Sequence, residues 1–387
     1  MLRGRAGITA AALALAVGLV LSLPVPSGAA STVVYQEKTE GYDCFRVPAV
    51  VQARNKDLLA FAEGRRGGSR FCADAGNIDI VVKRSTDGGH TWGPLQVVVR
   101  GDGDTRGNPT PIVLPSTGRI VLLSTAECVR RHPCGRAPQV QDSDDNGHSW
   151  MTPHPITSEL GFTRPPGWLA TGPGHGIVLD HGPHAGRLLA GLSYNLGMRY
   201  TGAVIYSDDQ GATWRTGATT TSESPALQPQ ELSLAELPGD RVYVAARNQA
   251  GWAEQCLAGG TRNRADTVAT DGGTRFARGF AFNPGLVTPT VQAPVLGLGA
   301  VVVFAGPSVC GARARLTVRS SIDDGAHWRT EEMVWPQAAA YSDLVALGPD
   351  DVGLLYEAGP AGRPNATIRW STVDTPEPVP DEDEPLA

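Results

Sequence analysis

STDGGHTW, Ser85–Trp92, returns as SDDNGHSW at Ser143–Trp150, SDDQGATW at Ser207–Trp214 and SIDDGAHW at Ser321–Trp328. The copies start about 60 residues apart except for a last gap of about twice that length. Inside that gap ATDGGTRF, Ala269–Phe276, is a degenerate copy in which Arg275 and Phe276 replace the usual last residues. The octapeptide has the chemistry of a tight turn: Asp accepts hydrogen bonds from the turn's amides, Gly supplies a positive φ, and Trp is expected to pack back onto its own hairpin. The repeat is therefore structural, and its aspartates are not counted as catalytic.

Around each copy lie short β-branched runs such as IDIVVKR, TGAVIY, RADTV, RLTVRS, RIVLLST and RVYVAARN, separated by Gly, Pro and Asp turns, and no stretch of comparable length has helical periodicity. A period of about 60 residues fits one four-stranded blade, and about 350 residues hold six of them. The predicted fold is all-β, a six-bladed β-propeller over residues 31–374; a sandwich does not normally repeat a Trp-anchored turn at this period.

The two ends read differently. Arg3 and Arg5, the apolar run Ile8–Leu23 and the small residues Ser27–Ala30 have the form of a secretory signal cut near Ala30, giving a signal peptide at 1–30. The run is shorter than the ~20 residues of a spanning helix and ends in Pro24 and Pro26, against an uncleaved anchor. Residues 375–387 are proline-rich and acidic, with Glu377, Asp381, Glu382, Asp383 and Glu384, and are expected to be a disordered tail. The net charge is −6, so no basic surface for nucleic acid is implied. Secretion permits disulfides among the six cysteines. Cys128 and Cys134 flank a short loop, and the absence of CxxC or HxxxH spacing argues against zinc.

The residues outside the repeat carry a resemblance. The octapeptides look like Asp boxes, and FRVP at Phe45–Pro48 is similar to the FRIP motif of bacterial exo-α-sialidases (neuraminidases). That resemblance covers nearly the whole mature chain and implies a secreted retaining exo-α-sialidase acting on sialylated oligosaccharides, glycoproteins or glycolipids. It implies no metal or organic cofactor, and a monomer is expected. Sialic acid carries a carboxylate on its anomeric carbon, which calls for a fixed cationic cradle, and the planar arginine fork suits it. The resemblance assigns this cradle to Arg46 of FRVP, Arg247 of VAARNQ and Arg313 of CGARARLTVRSS, the last preferred over Arg315.

The same carboxylate repels an anionic nucleophile, and sialidases are the tyrosine exception among glycosidases. In AAAYSDLVALGPDDVGLLYE the nucleophile is Tyr341, and in PQELSLAELPGD its base is Glu231, with Glu236 placed along the strand. AFAEGRRGGSRFCADAGNIDIVVKRS matches the loop that carries the acid, Asp74, with Asp79 as a structural or solvated rival. Arg65 of the same segment is assigned to a ring hydroxyl, whereas Arg66 and Arg70 read as ordinary loop charges. TGPGHGIVLDHGPHAGRLLAG supports the resemblance, with His175 read as held in a blade connection rather than touching substrate. Because Cys44 and Cys72 each stand two residues before a site residue, and Cys256 and Cys310 flank Arg247 and Arg313, the pairs Cys44–Cys72 and Cys256–Cys310 are expected. The alternatives are a non-catalytic sialic-acid-binding propeller, a trans-sialidase, an intramolecular variant, and a hydrolase of a related keto-deoxy sugar. A protein-interaction scaffold is opposed by the lack of WD-type signatures.

Overall fold

Each of the four full octapeptides closes into the same clasp. In the first, Ser85 Oγ donates to Asp87 Oδ1 at 2.7 Å and accepts from Gly89 N at 2.8 Å, while Asp87 accepts from Thr91 N at 2.9 Å and Thr91 Oγ1 at 2.6 Å. Ser143, Asp145, Gly147 and Ser149 repeat the pattern, as do Ser207 to Thr213 and Ser321 to His327. In the degenerate copy, where Ala269 stands in place of Ser, Gly273 N turns to the Thr270 carbonyl instead.

The tryptophans correct the sequence expectation. They reach the sheet before their own: Trp92 lies edge-on to Trp370, Trp150 to Phe61, and Trp328 against Tyr243, with Phe304 of its own sheet as its other ring contact. Trp214 is buried in the cluster that includes Val121 and Leu123. The clasp glycines abut the same neighbours. A Cβ on Gly89, at φ +93°, would run into the Trp370 indole, and one on Gly325 into the Tyr243 ring. The octapeptide is thus a staple between sheets, which explains why Gly and Trp return together.

The structure is a computed structural model that describes Met1 and residues 30–67, 72–129, 134–163, 167–220, 224–250, 256–257, 260–349 and 351–375. Most of the expected signal peptide, nearly all of the acidic tail, and Arg70 lie outside the described residues. Those described contain strands and no helix. The strands run as antiparallel meanders: Cys44–Gln52 pairs with Leu58–Arg66, that with Asn77–Ser85, and that with Gln96–Val99. The same order recurs from Thr105–Val113, from Leu169–Thr171, from Pro229–Leu237 and from Val295–Leu298. The long strand Arg329–Ala346 ends one meander with its first half and opens the next with its second. That last meander is completed by Thr32–Gln36, which pairs with the final strand Thr367–Asp374.

The leading strands touch in succession. Cys44–Gln52 meets Thr105–Val113, which meets Leu169–Thr171, and the following strand Leu188–Leu196 meets Pro229–Leu237. Pro229–Leu237 then meets Val295–Leu298, which meets Arg329–Ala346, and that returns to Cys44–Gln52. This closed succession is the β-propeller architecture, and apolar clusters fill the space between neighbouring sheets.

Several leading strands are broken by a bulge. Register shifts fall between Arg46 and Ala49, Gly107 and Thr110, Gln230 and Leu232, and Ala339 and Ser342. At three of them a non-glycine residue takes positive φ: Val47 at 56°, Asn108 at 53° and Glu231 at 50°. Bulges re-aim side chains, and these four surround one end of the axis.

Candidate active site

At that end lies a cavity of about 270 Å³ whose walls include Arg46, Arg65, Asp74, Glu231, Arg247, Arg313 and Tyr341. The structure therefore gathers the seven residues singled out in the sequence into one place. Arg315, the rival of Arg313, is exposed and outside these walls.

Tyr341 is the centre of the arrangement. Its hydroxyl donates to Glu231 Oε1 at 2.5 Å and accepts from Arg247 Nη1 at 2.9 Å, and the same Nη1 reaches Glu231 Oε2 at 2.9 Å. The guanidinium carbons of Arg46 and Arg313 lie 5.3 and 5.8 Å from the Tyr341 ring centroid. Burial and the Glu231 charge push the phenol well above its ordinary range, and Arg247, Arg313 and Arg46 act in the opposite sense. The proton stays on the phenol until something takes it, and the atom placed to take it is Glu231 Oε1.

Arg46 is fixed from below. Its Nε donates to Glu357 Oε1 at 2.7 Å, the Val47 amide donates to the same oxygen at 2.9 Å, and the Tyr341 amide donates to Glu357 Oε2 at 3.2 Å. One fully buried carboxylate thus ties the bulge at Val47 to the strand of Tyr341 and compensates a positive φ on a β-branched residue. Burial opposes the charge of Arg46, but Glu357 outweighs it and holds the guanidinium above its ordinary range.

Asp74 stands on the loop after the first hairpin, its side chain 79% exposed. The disulfide Cys44–Cys72 ties that loop to the strand of Arg46, with Cα atoms 6.2 Å apart, and Cys256–Cys310 closes the second expected pair. Cys128 and Cys134 face each other in register. Arg65 Nη1 reaches Asp74 Oδ1 at 2.7 Å and the Cys72 carbonyl at 2.6 Å, while Glu63 Oε2 grips the same guanidinium at Nε and Nη2. Arg136 Nη2 donates to the Asp74 carbonyl at 2.8 Å and stacks over Trp168. Burial pushes the Asp74 carboxyl up, but Arg65 and Arg46 outweigh it and leave it below the ordinary carboxylate range.

Other sequence candidates lie elsewhere. Asp79 is buried away from the cavity, accepting from Tyr42, Arg66 and the Gly101 amide, so it is structural and not solvated. Arg66 is consequently not an ordinary loop charge: it holds Asp79 at 2.5 Å and covers the Tyr42 ring. Glu236 accepts from the amides of Asp180 and His181. His175 pairs with buried Asp343 at 2.7 Å and is not part of the cavity wall.

Sequence reasoning passed over Glu63, Glu357, Asn108, Arg136, Trp168 and Tyr200. For Glu63 and Glu357 a signal existed: each closes an apolar strand run, AFAE and LLYE, and a carboxylate buried there needs donors. Arg136, Trp168 and Tyr200 reach the cavity only through the packing of sheets, and nothing local marks them.

Comparison with known proteins agrees with this geometry. Residues 56–354 match the family model described as BNR repeat-like domain. The chain is 31% identical over 385 residues to a sialidase of Micromonospora viridifaciens, covering 91% of this chain and 56% of that protein, so it spans little more than half of that relative. Among solved structures, the Hadza microbial sialidase Hz136 superposes with a TM-score of 0.75 at 22% identity, covering 89% of this chain and 68% of that one. The intramolecular trans-sialidase from Ruminococcus gnavus, solved with oseltamivir carboxylate, gives 0.68 at 15% identity, covering 88% and 96%. These last two likenesses concern the fold.

Proposed function

The chain belongs to the BNR repeat-like domain family, and from that premise we propose that it is a secreted, retaining exo-α-sialidase of six blades, with the octapeptides as its Asp boxes. The meanders, each opened by a leading strand and joined into a ring, support the six-blade reading. The disulfides support an exported protein. Its substrates are terminal sialosides of oligosaccharides, glycoproteins or glycolipids, and it acts as a monomer.

The observation that carries the proposal is the Tyr341–Glu231 hydrogen bond set among Arg46, Arg247 and Arg313. Three cations converging on a phenol and its base suit a substrate whose reacting carbon bears a carboxylate. The arginines hold that carboxylate. The Tyr341 oxygen then forms a bond to the anomeric carbon as its proton passes to Glu231, and the bond to the leaving oxygen breaks as Asp74 delivers a proton to it. In the second step Asp74 takes a proton from water, the water oxygen replaces the Tyr341 oxygen, and Glu231 returns its proton. Two displacements retain the anomeric configuration.

In the free protein Asp74 is held ionised by Arg65 and Arg46. A bound carboxylate supplies the counter-charge to Arg46, and an aglycone closing over the loop desolvates Asp74. Both changes move its carboxyl upward, toward the protonated acid.

The test is turnover of a fluorogenic aryl α-sialoside by the wild type and Tyr341→Phe, with the first-formed anomer followed by NMR. Release of the α anomer, crippled in the variant, is expected. Release of the β anomer first would overturn retention, and a folded wild type that binds sialic acid without turnover would make the protein a lectin.

A further inference from the structure

Behind the cradle lies another arginine. Arg264 is fully buried, and it is the register partner of Arg247 on the neighbouring strand Arg264–Thr270. Its Nη1 and Nη2 donate to the carbonyls of Val291 and Ala293 at 3.2 and 3.3 Å, its Nε has no hydrogen-bond partner, and its guanidinium carbon lies 5.4 Å from the Phe304 ring centroid. No carboxylate among the described residues lies within 4.0 Å of it. A buried guanidinium with only carbonyls for partners is costly. Burial pulls it down to about 10, with Tyr243, Glu231 and Asp266 favouring the charge and Arg247 opposing it. At neutral pH it is still a cation.

The two carboxylates in its field are not equivalent. Asp266 is already engaged by Arg278 at 2.7 Å, by Tyr243 OH at 3.0 Å and by Asn283 at 2.5 Å. Glu231 has Arg247 and Tyr341, and both are groups that must respond when substrate enters. Val291, whose carbonyl Arg264 holds, packs with Val47 and Ala340 against Tyr341. One buried side chain therefore adjoins the base by its field and the phenol by its packing.

We propose that Arg264 is a positioning residue of the reaction: its buried charge adds to the positive potential around Glu231 and across the cradle toward an anionic substrate, while its hydrogen bond to Val291 fixes the apolar wall behind Tyr341. The inference rests on the sialidase reading of the same site. A preorganised charge in a water-excluded place acts at little reorganisation cost during reaction, which gives a reason to retain a cation where a Met or Leu would pack more cheaply.

The experiment compares wild type, Arg264→Met and Arg264→Lys in pH profiles of kcat/KM on an aryl α-sialoside, with the affinity of an unsaturated sialic-acid analogue measured by calorimetry. The groups facing Glu231 and Tyr341 from other strands, Arg247, Arg313 and Arg46, are unchanged in each variant. For Arg264→Met the acidic limb is expected to move up by about one unit and analogue affinity to fall about tenfold. Arg264→Lys is expected to restore both at neutral pH and to show a new alkaline limb, because a buried ammonium loses its proton below the ordinary value of about 10.4. A folded Arg264→Met with the wild-type acidic limb and affinity overturns the inference. Should that variant not fold, an Arg264→Lys protein without the alkaline limb overturns it. A wild type inert toward the sialoside overturns the functional reading first and this inference with it, whereas an active wild type beside an unaltered Arg264→Met overturns the inference alone.

Discussion

Tyr341 donates its hydroxyl hydrogen to Glu231 Oε1 at 2.5 Å across a separation of 110 residues. The phenol is buried and held above its ordinary range, so attack depends on that contact. Glu231→Gln preserves the shape but cannot take a proton. Its kcat should fall by about 10²–10⁴ while binding of a sialic-acid anion changes little. A kcat within a few-fold of wild type would remove Glu231 from the role of base.

Asp74 and Tyr341 should separate by leaving group. A phenol-type leaving group with a low pKa departs with little help from an acid, whereas a sugar hydroxyl does not. Asp74→Ala is therefore expected to lose far more activity on a sialyl-lactose than on an aryl sialoside, and Tyr341→Phe to lose it on both. Equal losses for Asp74→Ala on the two substrates would contradict its role as the acid.

Glu357 accepts from Arg46 Nε, Val47 N and Tyr341 N. Removing one partner of a buried ion pair leaves the other charge uncompensated, so Glu357→Ala should cost about 3–5 kcal/mol in urea unfolding. KM should rise with it, because Arg46 loses its support. Unchanged stability and KM would mean that Arg46 is held by its bulge alone.

The buried pair His175–Asp343 predicts a pH dependence of stability. Burial lowers the imidazole, but the Asp343 charge and hydrogen bond outweigh it and raise His175 above its ordinary value. The stability it contributes is therefore complete below the unfolded value of about 6.5 and is lost as pH rises through the raised folded value. The Tm gap between wild type and His175→Gln should be widest in mild acid and narrow in alkali. A gap independent of pH would show that the pair acts by packing and not by charge.

Gly89 tests the staple. At φ +93° and against the Trp370 indole it has no room for a Cβ, so Gly89→Ala should destabilise by at least about 1–3 kcal/mol. KM should be unchanged, because the clasp is remote from the cavity. A changed KM with an unchanged Tm would give the octapeptide a role in binding.

Much of the cavity was legible in the sequence because its chemistry demands particular residue types in distinctive contexts. Arg46, Asp74, Glu231, Arg247, Arg313 and Tyr341 each sit in a motif that reads locally, and the structure brings all six together with Arg65. The supports were less legible. Glu357 and Glu63 look like strand residues until the donors arriving from other segments are known, and Arg136 and Trp168 meet only because two meanders pack side by side.

The sequence by itself determined that the chain repeats a turn, that the units between turns are strands, and which residues fall outside the repeat. These are properties of local backbone preference, and eight residues suffice to express them. Only the tertiary structure decided that each octapeptide Trp staples the preceding sheet, that Asp79 is buried under Arg66, and that Arg264 is buried behind Arg247. Those outcomes depend on which surfaces meet when the ring closes, and closure brings together residues that no local pattern relates.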